Sequence, residues 1–470
     1  MYHYSDLPVA VIGAGPVGLA AAAHLVQRGL QPVVFESGKG PGSSLVEWGH
    51  VRVFSPWRYV FDKAALELLE ESGWIQPDPD VLPTGSEIVQ QYLIPLARLV
   101  GRHIKYSTTV HSITRLGFDK VASDGRDRAP FIIRYRDETG VERRLTARAV
   151  LDASGTWFRP NPIGVDGLPV PGESLARGLI SYGIPDVLGQ ERQRYADGTV
   201  LVVGSGHSAI NAVLSLLELR KQHPKTSVIW ALRRNKIDKL LGGGLNDQLP
   251  ARGALGLAAK NAIESGSLKL LAPFSVESIA RRGETLAVEA SLNGQRETLH
   301  VDRIIVATGF RPDLDMLREL RIELDVAVES PRRLAPMIDP NLHSCGTVPP
   351  HGVEELAHPE RDFYIVGSKS YGRAPTFLMT TGYEQVRSVV AELAGDHLAA
   401  RQVQLVLPET GVCNVTLPGV EEASSAGCCG SPAPTKVDAC CAADATAKSE
   451  GKSGCGCGST NPAQETEPAA

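Results

Sequence analysis

An α/β fold that contains the same strand, turn and helix unit twice is what this 470-residue sequence predicts, and three observations carry the prediction. An apolar run at residues 9–12 leads into Gly13, Gly15 and Gly18 and then into the helix-forming "LAAAAHLVQRG", which ends at Gly29. A second apolar run at 200–203 leads into Gly204, Gly206 and Ala209 and again into a helical pattern. Each helix is followed by another apolar run, and these end differently, the first in Glu36 and the second in Arg233 and Arg234.

In the first unit the leading glycine permits a tight turn, the middle one lets backbone approach a pyrophosphate, and the last lets helix and strand pack closely, with phosphates at the helix N-terminus. Glu36 stands where a carboxylate accepts hydrogen bonds from a ribose diol. In the second unit Ala209 replaces the last glycine, which the packing role allows. A carboxylate at the end of the next strand would repel a 2′-phosphate, whereas a guanidinium clamps one in bidentate fashion. Arg233 and Arg234, with Gly204, Gly206 and Ser208, therefore point to NADPH rather than NADH. Two dinucleotide folds in one chain suit a hydride donor and acceptor held together, which assigns FAD to Gly13, Gly15, Gly18 and Glu36. The plainer alternatives are a glycine-rich turn in the first unit and a solvated strand end for the two arginines.

A formal charge of −5 argues against a nucleic-acid partner. The apolar N-terminal stretch holds Gly13, Gly15, Pro16, Gly18 and His24 and lacks a basic leader, and no other run is long enough to span a bilayer. The expectation is a cytoplasmic protein with reduced thiols. "PDPDVLPTG" (77–85) and "GLNDQLPARGALG" (244–256) read as loops, the latter a candidate flap over the nicotinamide. "FIIRYRDETGVERRLTARAV" alternates apolar and polar residues around Thr139 and Gly140, as a hairpin does.

From Glu421 to Ala470, Val437 is the only Leu, Ile, Val or Phe, so this segment is expected to be disordered. It carries six of the eight cysteines as three close pairs, Cys428 with Cys429, Cys440 with Cys441, and Cys455 with Cys457. Neighbouring thiolates can share one soft ion, and a third from another pair would complete the trigonal sulfur site that trivalent arsenic prefers. These six are the candidate metalloid ligands; incidental cysteines are the bland alternative, and zinc fits worse because ordered CxxC pairs are missing. Cys345 and Cys413 are isolated, as small buried residues often are. His343 and His351 near Cys345 suit either a metal site or an irregular loop. No CxxC follows either glycine motif, so the core lacks the dithiol through which a disulfide reductase takes electrons from flavin.

Residues 7–395 resemble the two-dinucleotide-binding flavoproteins of glutathione- and thioredoxin-reductase-like architecture, nearest to class B flavin monooxygenases and related to the lysine and ornithine N-hydroxylases. "AVLDASGTWFRPNP" (149–162) and "RIIVATGFRPD" (303–313) look like the family's two crossovers, which implies cofactor contacts at Thr308 and Gly309. "EWGHVRVFSPW" (47–57) implies FAD contacts at Trp48, Arg52 and Ser55, "STTVHSI" at Val110, and "DFYIVGSKSYG" at Gly367, although the acidic residue of thioredoxin reductases is absent there. "ARGLISYGIPDVLG" stands where class B monooxygenases carry a Phe-x-Gly and a histidine fingerprint; it offers Tyr182 and no histidine. "EWGHVRVFSPWRY", "LISYGIPDVLG" and the cysteine-rich tail together resemble flavoproteins that accompany arsenic-resistance systems.

The resemblance implies an FAD-binding domain at 1–160 and 303–400, an NADPH-binding domain at 161–302 and the tail at 421–470. It implies NADPH-driven delivery of electrons to molecular oxygen and of an oxygen atom to a small soft nucleophile or metalloid. A metal or disulfide reductase relaying electrons through the tail thiols is the alternative enzyme. A non-catalytic flavin and NADPH sensor or metalloid-binding protein is the alternative from another class. Neither a catalytic residue nor an oligomeric state follows from the sequence, and no membrane partner is expected.

Overall fold

The computed structural model describes residues 6–234, 250–342, 348–375 and 377–405, all within one compact unit spanning 1–413. The chain opens with strand β1 (Val9–Ile12), the helix Pro16–Gln27 and strand β2 (Pro32–Phe35), followed after a run of short helical segments between residues 43 and 103 by the short strand β3 (Ile104–Lys105). An antiparallel meander comes next, β4 (Thr109–Arg115), β5 (Phe131–Arg136) and β6 (Glu142–Ala147), and then β7 (Ala149–Asp152). The expected hairpin is β5 and β6, paired from Phe131 opposite Ala147 to Arg136 opposite Glu142.

The middle of the chain builds the same sequence of elements again. Strand β8 (Ile180–Tyr182) is followed by β9 (Thr199–Val203), the helix His207–Gln222, β10 (Ser227–Ala231) and β11 (Lys269–Leu271). A second antiparallel meander, β12 (Phe274–Arg282), β13 (Thr285–Leu292) and β14 (Gln295–Val301), leads into β15 (Arg303–Val306), and β16 (Phe363–Ile365) closes the series.

Two five-stranded parallel sheets result, with orders β16-β7-β1-β2-β3 and β8-β15-β9-β10-β11. The orders correspond strand for strand: each first strand lies between the strand that follows its helix and the strand that follows its meander. Only the outer strand is permuted, late in the chain for one sheet and early for the other. Residues 303–306 pair with Val200–Val203, so the chain leaves the second sheet after Val306.

The helix Pro16–Gln27 is buried along nearly its whole length, with Leu19 through Ala23 and Leu25 at 0% exposure. Its alanine run lets the sheet lie close on one side and the helix Met379–Leu393 on the other, whose Val386, Val389 and Val390 share its core. A fully buried residue of this size contributes about 1.5–3 kcal/mol for a Val or Leu, less for Ala. Glu360 ties the first meander to β16: it is wholly buried, with Arg115 Nε at 2.7 Å and Arg126 at 2.8 Å.

The loop expected at 244–256 differs in its second half. Pro250 begins the helix Pro250–Glu264, because proline is pre-organised for a first helical turn and "ARGALGLAAKNAIE" is rich in helix formers. Residues 244–249 lie outside the described residues, as do His343, Cys345, Cys413 and the whole segment 421–470 with its six cysteines.

Candidate active site: two glycine turns and one cavity

At the first turn, Gly13 has φ +99°, and a Cβ there would lie 2.7 Å from the Ala153 carbonyl oxygen. Gly18 is needed for a different reason, since its Cβ would fall 2.0 Å from the Gly13 oxygen. Gly15 has nothing within 4 Å of its Cβ position. Two glycines thus close the turn and the middle one leaves backbone open to a ligand, at the start of a twelve-residue helix without a side-chain cap.

Glu36 follows the end of β2 and is 5% exposed. One carboxylate oxygen accepts from the Gly38 amide at 2.7 Å and the Ser43 hydroxyl at 2.9 Å, the other from the Ala14 amide at 2.8 Å. A carboxylate has about four acceptor positions, so three fixed donors orient it and leave capacity for a diol.

Gly13, Gly15, Glu36, Trp48, Val110 and Gly367 all line a single cavity of about 680 Å³. It runs along the carboxyl ends of β1, β2 and β7, where open α/β sheets bind ligands. Trp48, Trp157 and Phe310 gather at one side, with Trp157 and Phe310 centroids 4.7 Å apart and Trp48 6.3 Å from Trp157. The remaining residues expected at the flavin do not line it. Arg52 is exposed and bonds the Leu82 carbonyl, with Glu87 at 3.8 Å, while Ser55 is buried away from the cavity. Of this segment Trp48 lines the cavity, whereas Arg52 and Ser55 do not.

Thr308 and Gly309 join the two crossovers instead of lining the cavity. The Thr308 hydroxyl donates to the Asn161 and Pro162 carbonyls at 3.2 and 3.3 Å, and the Asn161 amide nitrogen reaches the Gly309 oxygen at 2.9 Å. Gly309 adopts φ +93°, which any other residue would hold with strain.

The second turn repeats the first. Gly204 has φ +138°, and its Cβ would meet the Ala307 oxygen at 2.2 Å, while Gly206 again has nothing within 4 Å. Ala209 is fully buried in the third glycine's place, and Ser208 stands in the first turn of the helix His207–Gln222. Arg233 and Arg234 are exposed just past β10, whose last residue bonds the Gly204 amide at 3.2 Å, so both arginines sit beside this turn. Arg233 reaches the Val165 carbonyl at 3.5 Å.

Tyr182 donates to Glu173 at 2.7 Å. Burial, then this bond and the carboxylate's charge, push its phenol well above the ordinary range, so it stays protonated near neutral pH. His351 is buried, with Nδ1 3.1 Å from the Pro349 oxygen and Nε2 2.8 Å from Gln385, which engages both ring nitrogens. Among the described residues no group of three His, Cys, Asp or Glu is arranged to hold a metal ion.

Sequence reasoning missed Lys369, Asp152, Ser154, Trp157 and Phe310, all of which except Asp152 line the cavity. Lys369 and Asp152 form a fully buried ion pair at 2.6 Å. The available signal was Lys369 itself, one charge inside the small and apolar "FYIVGSKSYG".

The pyridine nucleotide-disulphide oxidoreductase family matches residues 10–341. Ferredoxin–NADP reductase 2 of Latilactobacillus sakei is 24% identical over 81% of this chain and 94% of its own length. By contrast, the thiamine thiazole synthase of Pyrobaculum calidifontis is matched over only 20% of its length. The fold is similar to bacillithiol disulfide reductase from Bacillus cereus (TM-score 0.62, 18% identity, covering 83% of this chain and 99% of that one). It is also similar to the FAD-bound cadaverine monooxygenase of Erwinia amylovora (TM-score 0.58, 12% identity, covering 90% and 100%). With both glycine turns inside the matched span, the chain belongs to the pyridine nucleotide-disulphide oxidoreductase family and is an FAD- and NAD(P)H-dependent oxidoreductase.

Proposed function

We propose that FAD lies along the cavity and NADPH at the second turn, and that the electrons go to molecular oxygen, with one oxygen atom delivered to a small soft substrate. Glu36 would hold the adenosine ribose of FAD, the Gly13–Gly15 backbone its pyrophosphate, Val110 its adenine end, and Trp48 and Gly367 its flavin end. Gly204, Gly206 and Ser208 would hold the pyrophosphate of NADPH, and Arg233 and Arg234 its 2′-phosphate. The bound pair supplies hydride transfer from nicotinamide to flavin. The protein's part is to align the rings, with the Trp48, Trp157 and Phe310 cluster excluding water. The domain division expected from sequence is proposed with one adjustment: the second flavin segment begins after Val306, because 303–306 belongs to the nucleotide sheet.

The observation that carries this reading is the position of the cysteines. The first of the eight is Cys345, so neither glycine motif is followed by a CxxC and both nucleotide-binding units lack a dithiol in their own sequence. A disulfide reductase needs a thiol beside the flavin; oxygen needs only access and exclusion of competing reactions. The test is stoichiometry under air. With a soft nucleophile present, each NADPH and proton should consume one O2, oxygenate one substrate and release one water. Quantitative hydrogen peroxide with every substrate tried would leave an oxidase or reductase and remove the monooxygenase reading. Metalloid handling rests on the three cysteine pairs of the tail: their thiolates would capture arsenite and raise its concentration near the flavin.

A further inference from the structure

Lys369 is 1% exposed, and its Nζ donates to Asp152 Oδ2 at 2.6 Å and to Ser154 Oγ at 3.0 Å. The other Asp152 oxygen accepts from the Ser154 hydroxyl at 2.6 Å and from its amide at 3.1 Å. Two buried charges are expensive to desolvate, and an apolar pair of similar volume would often be no less stable. Their retention directly under a cavity calls for a role in what the cavity holds.

Hydrogen-bond chemistry fixes the direction of this network. An ammonium only donates and a carboxylate only accepts. The Ser154 proton therefore points to Asp152 while its oxygen accepts from Lys369, which leaves one lone pair. Ser154 is also the exposed member of the three and lines the cavity. It can accept a hydrogen bond there but has no proton to give, so it selects a hydroxyl or amide donor.

Its location narrows the partner. Ser154 Cα lies 3.2 Å from the Cβ position of Gly13, next to the turn assigned to the pyrophosphate. Trp48, assigned above to the flavin end, lines the same cavity together with Phe377 and Met379. Between a pyrophosphate and an isoalloxazine ring FAD carries a polyol. We propose that Lys369 is a positioning residue that, with Asp152, locks Ser154 as a hydrogen-bond acceptor for a ribityl hydroxyl of FAD. The proposal rests on FAD occupying this cavity.

Flavin-free protein titrated with FAD and, separately, with lumiflavin, which lacks the polyol and phosphates, tests it. Ser154→Ala keeps the ion pair and should weaken FAD binding about tenfold, the worth of one hydrogen bond, with lumiflavin binding unchanged. Asp152→Asn with Lys369→Met removes both charges together and should give the same loss. The triple variant should be no weaker than either, because all three residues act through one contact. Parent-like FAD affinity in Ser154→Ala, additive losses in the triple variant, or an equal loss of lumiflavin would each overturn the proposal. Should the paired variant not fold, the Ser154→Ala titration alone decides. A parent that binds no FAD would overturn the functional reading together with this one, whereas parent-like variants overturn only this one.

Discussion

Gly15 and Gly18 belong to one motif but should fail in opposite ways when given a side chain. Gly15 caps the helix Pro16–Gln27 with φ −76° and ψ −175°, ordinary extended backbone. Its Cβ position is open. Aspartate is a preferred N-cap residue, and an anion at a helix N-terminus gains about 0.3–1 kcal/mol. Gly15→Asp should therefore leave the flavin-free protein as stable as the parent or up to about 1 kcal/mol more so. The same carboxylate would face the FAD pyrophosphate. Like unit charges 4 Å apart cost about 4 kcal/mol at an effective dielectric near 20, which corresponds to FAD affinity falling on the order of a thousandfold.

Gly18 lies inside the same helix, where alanine would ordinarily gain about 1 kcal/mol in helix propensity. Here its Cβ would fall 2.0 Å from the Gly13 oxygen, and a backbone carbonyl cannot yield without opening the turn. Overpacking of this kind costs about 1–3 kcal/mol or more, so Gly18→Ala should lower stability outright. Thermal unfolding of both flavin-free variants, with FAD titration by fluorescence, separates the two effects. A Gly15→Asp protein that unfolds as readily as Gly18→Ala, or that binds FAD like the parent, would refute the reasoning.

Replacing Arg233 and Arg234 by alanine should reduce discrimination between NADPH and NADH by about 1.5–3 kcal/mol, read from the two kcat/KM values; an unchanged ratio would dissociate the arginines from the 2′-phosphate. Burial holds the His358 imidazole down to about 4. The folded state thus resists a proton that the unfolded chain accepts near 6.5, and stability present above that pH should decline as pH falls toward 4. His358→Gln should flatten the Tm profile across this window, and an unaltered profile would assign the decline to other groups. Deleting the residues after Glu421 should leave FAD content and NADPH oxidation intact and abolish stoichiometric arsenite binding. Equal binding by the full-length and shortened proteins, with thiols reduced, would sink the tail reading.

Both glycine turns were legible in the sequence because their constraints are local. A residue at positive φ, an open backbone position and a helix start all fall within six residues, and each favours a particular side chain. The meander hairpin was legible for the same reason, through its alternation around Gly140. That Arg52 and Ser55 stand outside the cavity lining was not, because for Arg52 the direction is set by the 82–87 segment packing from elsewhere in the chain. Lys369 and Asp152 are 217 positions apart, and their pairing exists only because β16 and β7 lie side by side. Pro250 misled because a proline marks a helix start as readily as a loop, and the sequence beyond it decides which.

The repeat itself argues for how the two nucleotides are told apart. Each unit supplies the same strand order, the same crowded first glycine against a crossover carbonyl and the same open second glycine. A dinucleotide's pyrophosphate would meet equivalent backbone in either place, so the turns cannot discriminate. On the proposed assignment the distinguishing groups would be those just past β2 and β10. Glu36 is buried and held by three donors, a rigid acceptor suited to a neutral diol and hostile to an added phosphate. Arg233 and Arg234 are exposed and cationic, able to reach a 2′-phosphate that projects toward solvent. Exchanging these groups between the two units should exchange the nucleotide preference while leaving the turns intact. On the proposed assignment, the division of labour between the two halves would then rest on three side chains just past equivalent strands.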